Sequence, residues 1–319
     1  MNHLNVIKEE LGLLENKLIE FISSEITLAT EISEYIVASG GKRIRPTLCI
    51  LTGKALSYQE ENLINLSAAI ELLHTATLIH DDVVDESLFR RGKQSIQNKW
   101  SDAHGVLVGD FVYSKAFQLM ASLDKRELIE ELARSTNRIS EGEVLQLSLK
   151  SSQNFSDKNY FEVIGRKTAE LFKASVVTAA IAASADEVTI NSLHNFSYKL
   201  GIAFQIKDDL LDYVGNEEKI GKKLGKDYQE GKITLPIVRA IELSDKDKQV
   251  FLKESMLSGD MNKFDEVIKI ILDSGALERV KEEEERYVKD CLKDLDILPE
   301  NEYKDALAHI TFSLIDREE

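Results

Sequence analysis

The stretch IELLHTATLIHDDVVDESLFRRG (residues 70–92) passes from a mostly apolar segment straight into Asp81, Asp82, Asp85 and Glu86, and then into Arg90 and Arg91. On a helix Asp81 and Asp85 share a face, and like charges so spaced cost only about 0.2–0.5 kcal/mol on a wet surface. The apolar stem instead places these carboxylates at the rim of an interior, where an uncompensated charge costs several kcal/mol. A helix is therefore expected here, ending in a carboxylate cluster that something cationic completes.

Outward from this segment the chain keeps helical character. Leu63, Leu66, Ile70, Leu73 and Thr77 recur at three and four, and Leu123, Leu128, Leu132, Ile139, Val144 and Leu147 lie along a second region of this kind. Strict alternation is absent, and no strand-turn-helix glycine fingerprint or 20–50-residue repeat occurs, so the expectation is an all-α chain. Pro46, Pro236 and Pro299 are the only prolines. Breaks are expected at 38–46, around 149–157 and at 215–232, none long enough to separate domains. FKASVVTAAIAASA (172–185) is too short to span a bilayer and reads as a buried, closely packed helix. KEEEER (281–286) reads as a solvated helical face.

Composition narrows the function. The chain has 319 residues, 43% hydrophobic and 30% charged, enough for a large core. A net charge of -16 argues against general binding of nucleic acid. Cys49 and Cys291 have neither metal-ligand spacing nor an adjacent histidine, and read as reduced cytosolic thiols. The N-terminus has no apolar run of the signal-peptide kind, no transmembrane segment is expected, and the expected location is cytoplasmic.

The acidic pattern recurs as DDLLD (208–212). On a helix Gln205, Asp208 and Asp212 share a stripe, with Asp209 on its flank, just as His74, Asp81 and Asp85 share one in the first motif. A single DD-x-x-D is commonplace on helix surfaces; two, each ending an apolar helix, point to a site. Hard oxygen donors of this kind suit Mg²⁺ held by one or two carboxylates and by substrate phosphates. The phosphate side comes from basic residues beside glycines: GGKRIRP (40–46), RRG (90–92) and IGKKLGKDYQEGK (220–232). Arginine grips phosphate oxygens bidentately and lysine acts as a point charge, so a metal-bridged diphosphate is the expected ligand.

GGKRIRP, HTATLIHDDVVDESLFRRG, VGDFVYSKAF (108–117), EGEVLQL (141–147), GRKTAELF (165–172) and FQIKDDLLDYVG with GKKLGKDYQEGKITLP (221–236) together resemble the trans-isoprenyl diphosphate synthases, in particular the long-chain polyprenyl group. The resemblance covers about residues 38–240. It implies a single domain over residues 1–319, a helical bundle of the isoprenoid synthase type around a deep central cavity with the motifs facing each other at its mouth. It implies a homodimer, and about three Mg²⁺ ions bound with the substrate diphosphate. Asp81, Asp85 and Asp208 would bind metal, supported by Asp82, Asp209 and Asp212. Arg90, Lys167, Thr168, Gln205, Lys222 and Lys232 would hold the allylic diphosphate, with Lys223 and Lys226 as alternatives to Lys222. Lys42, Arg45, His74 and Arg91 would hold isopentenyl diphosphate. No protein nucleophile is expected.

The resemblance implies that product length is set by the depth of an apolar tunnel below the first motif, closed in short-chain members by bulky aromatic residues four or five positions before the first aspartate; here the small Ala76 and Thr77 stand there, with Leu132 the expected next floor. The overall resemblance is to bacterial octaprenyl diphosphate synthases serving quinone side chains, with farnesyl diphosphate as the expected primer. A shorter-chain farnesyl or geranylgeranyl synthase is the alternative within the class. A non-catalytic partner subunit is the alternative outside it, disfavoured because both aspartate motifs are kept. Release of a long product would call for transient contact with a membrane surface.

Overall fold

A computed structural model of the chain describes residues 2–58, 61–123, 125–150, 154–214 and 224–315. A 3₁₀ turn, Asn2–Ile7, leads into α1 (Lys8–Phe21), α2 (Thr27–Val37), α3 (Ile44–Ala55) and α4 (Asn62–Val84). A two-residue hairpin, β1 (Phe89–Arg90) with β2 (Lys93–Gln94), precedes α5 (Ile96–Lys99), α6 (Asp102–Ala121), α7 (Arg126–Lys150) and α8 (Asp157–Ile164). A π-helical turn (Gly165–Ala169) joins α8 to α9 (Glu170–Ala182), followed by α10 (Glu187–Val214) and α11 (Lys226–Gln229). Then come α12 (Leu235–Leu243), α13 (Lys246–Ser258), α14 (Phe264–Asp273), α15 (Ala276–Asp294) and α16 (Glu302–Ile315). The all-α expectation holds, and the hairpin is the only sheet among the described residues.

The chain divides into two compact units. The first comprises Met1–Thr136, Leu171–His194 and Leu295–Ile310; the second comprises Asn137–Glu170, Asn195–Asp294 and Thr311–Glu319. In the first, α4 is the central helix. Leu63, Ile64, Leu66, Ala68, Ala69, Ile70, Leu72, Leu73, Ala76 and Ile79 are buried on all its sides, as expected of a helix that is apolar all round. It is long and apolar enough to cross a membrane by composition, but 72% of its most apolar window is buried inside the fold. In the second unit, Ile202, Ile206 and Leu210 of α10 pack with Ile237, Val238 and Ile241 of α12 and with Val267 and Ile271 of α14.

Two expectations change. Leu123, Leu128, Leu132 and Ile139 are buried, but Val144 and Leu147 are exposed. At about 100° per residue, Val144 lies some 140° round α7 from Ile139, off the buried stripe. The KEEEER segment of α15 is not simply a solvated face. Glu283 and Glu284 are buried, because Glu283 receives Arg239 Nε at 2.6 Å and Glu284 faces Lys207 at 4.0 Å. Arg239, itself buried, is also held by Asp157 at the start of α8 and by Glu242.

Candidate active site

In the first unit the turn after α2 brings the GGKRIRP cations to the middle of α4. Arg43 adopts a left-handed backbone (φ 48°) at the N-terminus of α3, and its guanidinium donates to Glu15 at 2.7 and 3.1 Å, to Glu71 at 2.6 Å and to the Val37 carbonyl at 3.1 Å. Burial opposes its charge, but these bonds outweigh burial and raise its pKa. Arg43 therefore fastens the loop, while Lys42 beside it is exposed. Arg45 donates from Nη1 to His74 Nε2 at 3.1 Å and stacks its guanidinium over the Phe172 ring at 4.7 Å.

An arginine only donates, so His74 Nε2 must accept and the imidazole must be neutral. Burial, and then the charges of Arg45, Arg91, Arg90 and Arg43, hold the His74 pKa well below the ordinary value. Arg91 reaches the same place from the hairpin. Its guanidinium lies over Gly41, where a Cβ would come within 2.6 Å of Nη1. Burial, then Arg90 and Arg43, lower its pKa despite Glu71. This is a cluster of concentrated positive charge beside α4, suited to an anion.

At the end of α4, Asp81 and Asp85 are partly exposed, whereas Asp82 is buried. Asp82 accepts Arg90 Nε at 2.6 Å, which fastens the hairpin to α4. Burial works against the Arg90 charge, but the Asp82 bond and the charges of Asp82, Asp81 and Asp85 raise its pKa. The first motif thus divides its labour: Asp82 anchors, and Asp81 and Asp85 remain at the surface. Further back on α4, Ala76 is fully buried, and Thr77 turns its hydroxyl back onto the His74 carbonyl at 2.8 Å. Leu132 is fully buried, next in sequence to the buried Glu131, which pairs with Lys173 at 2.5 Å.

In the second unit the three aspartates of α10 also differ. Asp209 is 2% exposed and accepts Gln205 Nε2 at 2.9 Å and the Leu235 backbone N–H, the first of α12, at 3.2 Å. Burial, then the charge of Asp227, pushes the Asp209 pKa well up against those bonds. Asp212 caps α11, accepting the backbone N–H groups of Lys226 at 3.2 Å and Asp227 at 3.0 Å. Asp208 is partly exposed, as is Asp212, whereas Asp209 is buried.

Thr168 sits in the π-helical turn, a feature that recurs at functional sites, and donates to Gln205 Oε1 at 2.8 Å. Its neighbour Lys167 donates to Glu143 at 2.7 Å and Gln146 at 3.0 Å. That explains EGEVLQL: Glu143 and Gln146 receive the lysine, Glu141 receives Arg166, and a Cβ at Gly142 would come within 2.8 Å of Arg166 Cβ and 3.0 Å of the Lys167 nitrogen. Lys232 pairs with Glu230 at 2.5 Å, and Lys226 pairs with the same carboxylate at 3.3 Å. Lys222 and Lys223 lie outside the described residues. Glu71, Glu15 and Asp227 join these groups without having stood out in the sequence. Glu71 was visible as a charge inside an apolar helix, which demands a partner; nothing in the sequence paired Glu15 or Asp227 with the site.

The donor chemistry suits magnesium. Among the described residues no group of three or more His, Cys, Asp or Glu side chains forms a metal cluster. Asp81 and Asp85 in the first unit, and Asp208 in the second, each offer only hard oxygens, too few in either unit to fill an octahedral shell, which fits an ion that takes its remaining ligands from phosphate and water.

A sequence model of the family described as polyprenyl synthetase matches residues 26–272. An all-trans-nonaprenyl-diphosphate synthase (geranyl-diphosphate specific) of Rhodobacter capsulatus is 38% identical over 318 residues, 98% of this chain and 96% of the relative. An octaprenyl diphosphate synthase of Haemophilus influenzae is 37% identical over 297 residues, 93% of this chain and 90% of the relative. The crystal structure of a Caulobacter crescentus CB15 polyprenyl synthase, complexed with calcium and isoprenyl diphosphate, matches with a TM-score of 0.94 at 34% identity, covering 99% of this chain and 97% of that one. The chain belongs to the polyprenyl synthetase family: it is a trans-polyprenyl diphosphate synthase, a prenyltransferase with the all-α isoprenoid synthase fold.

Proposed function

We propose that this chain is a Mg²⁺-dependent synthase that adds isopentenyl diphosphate head-to-tail to an allylic diphosphate, with farnesyl diphosphate as primer and octaprenyl diphosphate as product. It acts as a cytoplasmic homodimer and supplies side chains for quinones. The observation that carries the reading is the cationic cluster beside α4, where Arg45 bonds a neutral His74 and Arg91 adds its charge. A second anion site beside the metal-binding aspartates is what a two-substrate condensation needs.

In this reading Lys42, Arg45 and Arg91 bind the diphosphate of isopentenyl diphosphate, with His74 holding Arg45 in place. Arg90, Lys167, Thr168, Gln205 and Lys232 hold the allylic diphosphate, with Lys222 the counterpart outside the described residues. Asp81, Asp85 and Asp208 would hold the magnesium ions, which when bound neutralise charge on the leaving diphosphate. The allylic C–O bond breaks with its electron pair going to diphosphate. The isopentenyl double bond supplies the pair for the new C–C bond, and the released diphosphate takes the proton. Apolar walls keep water from the cation. The small side chains of Ala76 and Thr77, where a bulky one would close the path, support passage of a long chain. The 33% identity to a short chain isoprenyl diphosphate synthase of Methanothermobacter thermautotrophicus keeps a shorter product as the second reading.

Purified protein with Mg²⁺, farnesyl diphosphate and labelled isopentenyl diphosphate is expected to give a ladder ending near eight units. Products stopping at three or four units would replace the octaprenyl assignment with the short-chain one. No incorporation would overturn catalysis by this chain alone.

A further inference from the structure

VGDF (108–111), at the middle of α6, has no role in the chemistry above, yet α6 packs along α4 more extensively than any other helix pair among the described residues. The reason lies in two glycines one turn apart. A Cβ built on Gly109 would overlap the His80 ring, reaching 3.1 Å from Cε1 and closer still to Nε2 and Cδ2. A Cβ on Gly105 would lie 2.5 Å from Val83 Cγ2. Both glycines are buried. The two residues they seat flank Asp81 and Asp82 in the last turn of α4. His80 Nε2 faces two oxygens, the Val106 carbonyl at 3.3 Å and Asp110 Oδ1 at 3.4 Å. It therefore carries a hydrogen toward α6, and the ring is held in its recess by geometry as well as by shape.

We propose that Gly105 and Gly109 are positioning residues of the synthase, recesses in α6 that seat Val83 and His80 and so set the height and rotation of the α4 end bearing Asp81 and Asp85. This rests on the reading of those aspartates as magnesium ligands. A Cβ at either glycine would meet the His80 ring or a Val83 methyl, so the seated side chain must either leave its present rotamer or carry α4 outward or round with it; the second course is the one proposed, since Val83 is branched at Cβ and stiff at χ1. Carboxylates that share an ion and a diphosphate tolerate such a shift poorly, since displacements near 1 Å cost up to about 100-fold in a positioned site. Asp82 would transmit the same shift to Arg90 through their 2.6 Å bond.

The test is binding of inorganic diphosphate in the presence of Mg²⁺, measured by calorimetry on the full chain, alongside thermal unfolding. Gly109→Ala is expected to weaken binding about 10- to 100-fold, and His80→Ala/Gly109→Ala to recover most of that loss, because the smaller side chain vacates the space. Gly105→Ala and Val83→Ala/Gly105→Ala should repeat the pattern, and this second pair decides the matter if Gly109→Ala does not fold. Wild-type binding by both glycine variants, or double variants that bind no better than the single ones, would overturn the proposal. Asp81→Asn is the control: if it binds diphosphate and Mg²⁺ like the wild type, the metal role of the motif is wrong, whatever the glycine variants do.

Discussion

Replacing Arg43 by methionine separates scaffold from site. Arg43 bridges Glu15 on α1 and Glu71 on α4, and the two ends are unequal. Glu15 has a side chain 46% exposed, so that bond is screened and contributes about 0–1 kcal/mol. Glu71 has a side chain 5% exposed, and leaving it without its arginine is expected to cost about 3–5 kcal/mol as an uncompensated buried charge. Burial already raises the Glu71 pKa, with Arg43 the largest opposing influence; without Arg43 it rises further. The folded chain then holds a proton that the unfolded chain releases, so the loss relative to wild type is greatest at neutral pH and shrinks as pH falls through the raised pKa. Thermal and urea unfolding at several pH values measure this, at roughly 2–4 °C per kcal/mol for a unit of 150–250 residues. Glu15→Gln should cost under about 1 kcal/mol, and Glu71→Gln combined with Arg43→Met should recover about 1–3 kcal/mol. A loss below about 1 kcal/mol in Arg43→Met, or no recovery in the double variant, would refute the claim that Arg43 serves mainly to neutralise Glu71.

His74 is neutral when folded, so as pH falls below about 6.5 the unfolded chain takes up a proton that the folded one refuses. Wild type should lose stability over that range more steeply than His74→Gln, as seen in unfolding midpoints between about pH 7.5 and 5.5. Asp212→Ala removes the cap of α11 and should cost about 0.5–2 kcal/mol, with faster amide exchange confined to residues 226–230; a change spread over α10 instead would contradict the capping role. Ala76→Phe should shorten the product while leaving the melting temperature near wild type if residue 76 borders the product path. Destabilisation by about 1–3 kcal/mol with unchanged product length would place Ala76 in a closed core.

Helix class and the two carboxylate-bearing helix ends were legible in the sequence because both rest on local periodicity: an apolar stem at three and four, then acid groups at the same spacing. The cations were legible for the same reason, clustering beside glycines at 40–46 and 90–92. What the residues next to one another do was not legible. Within DDVVD the sequence does not tell that Asp82 turns inward to Arg90 while Asp81 and Asp85 stay out, nor that Asp209 and Asp212 serve the starts of α12 and α11. Arg43, Arg45 and Arg91 look alike in the chain; only packing makes the first a fastening for Glu71 and sets the second against His74 and the third over Gly41. The acidic run of α15 reads as solvated because its charge pattern is local, whereas the buried Arg239 that draws Glu283 inward is 44 residues away. Spacing along one helix is set by its own repeat, but the partner of a buried charge is chosen by which distant segment the core brings alongside, and that choice exists only in the folded chain.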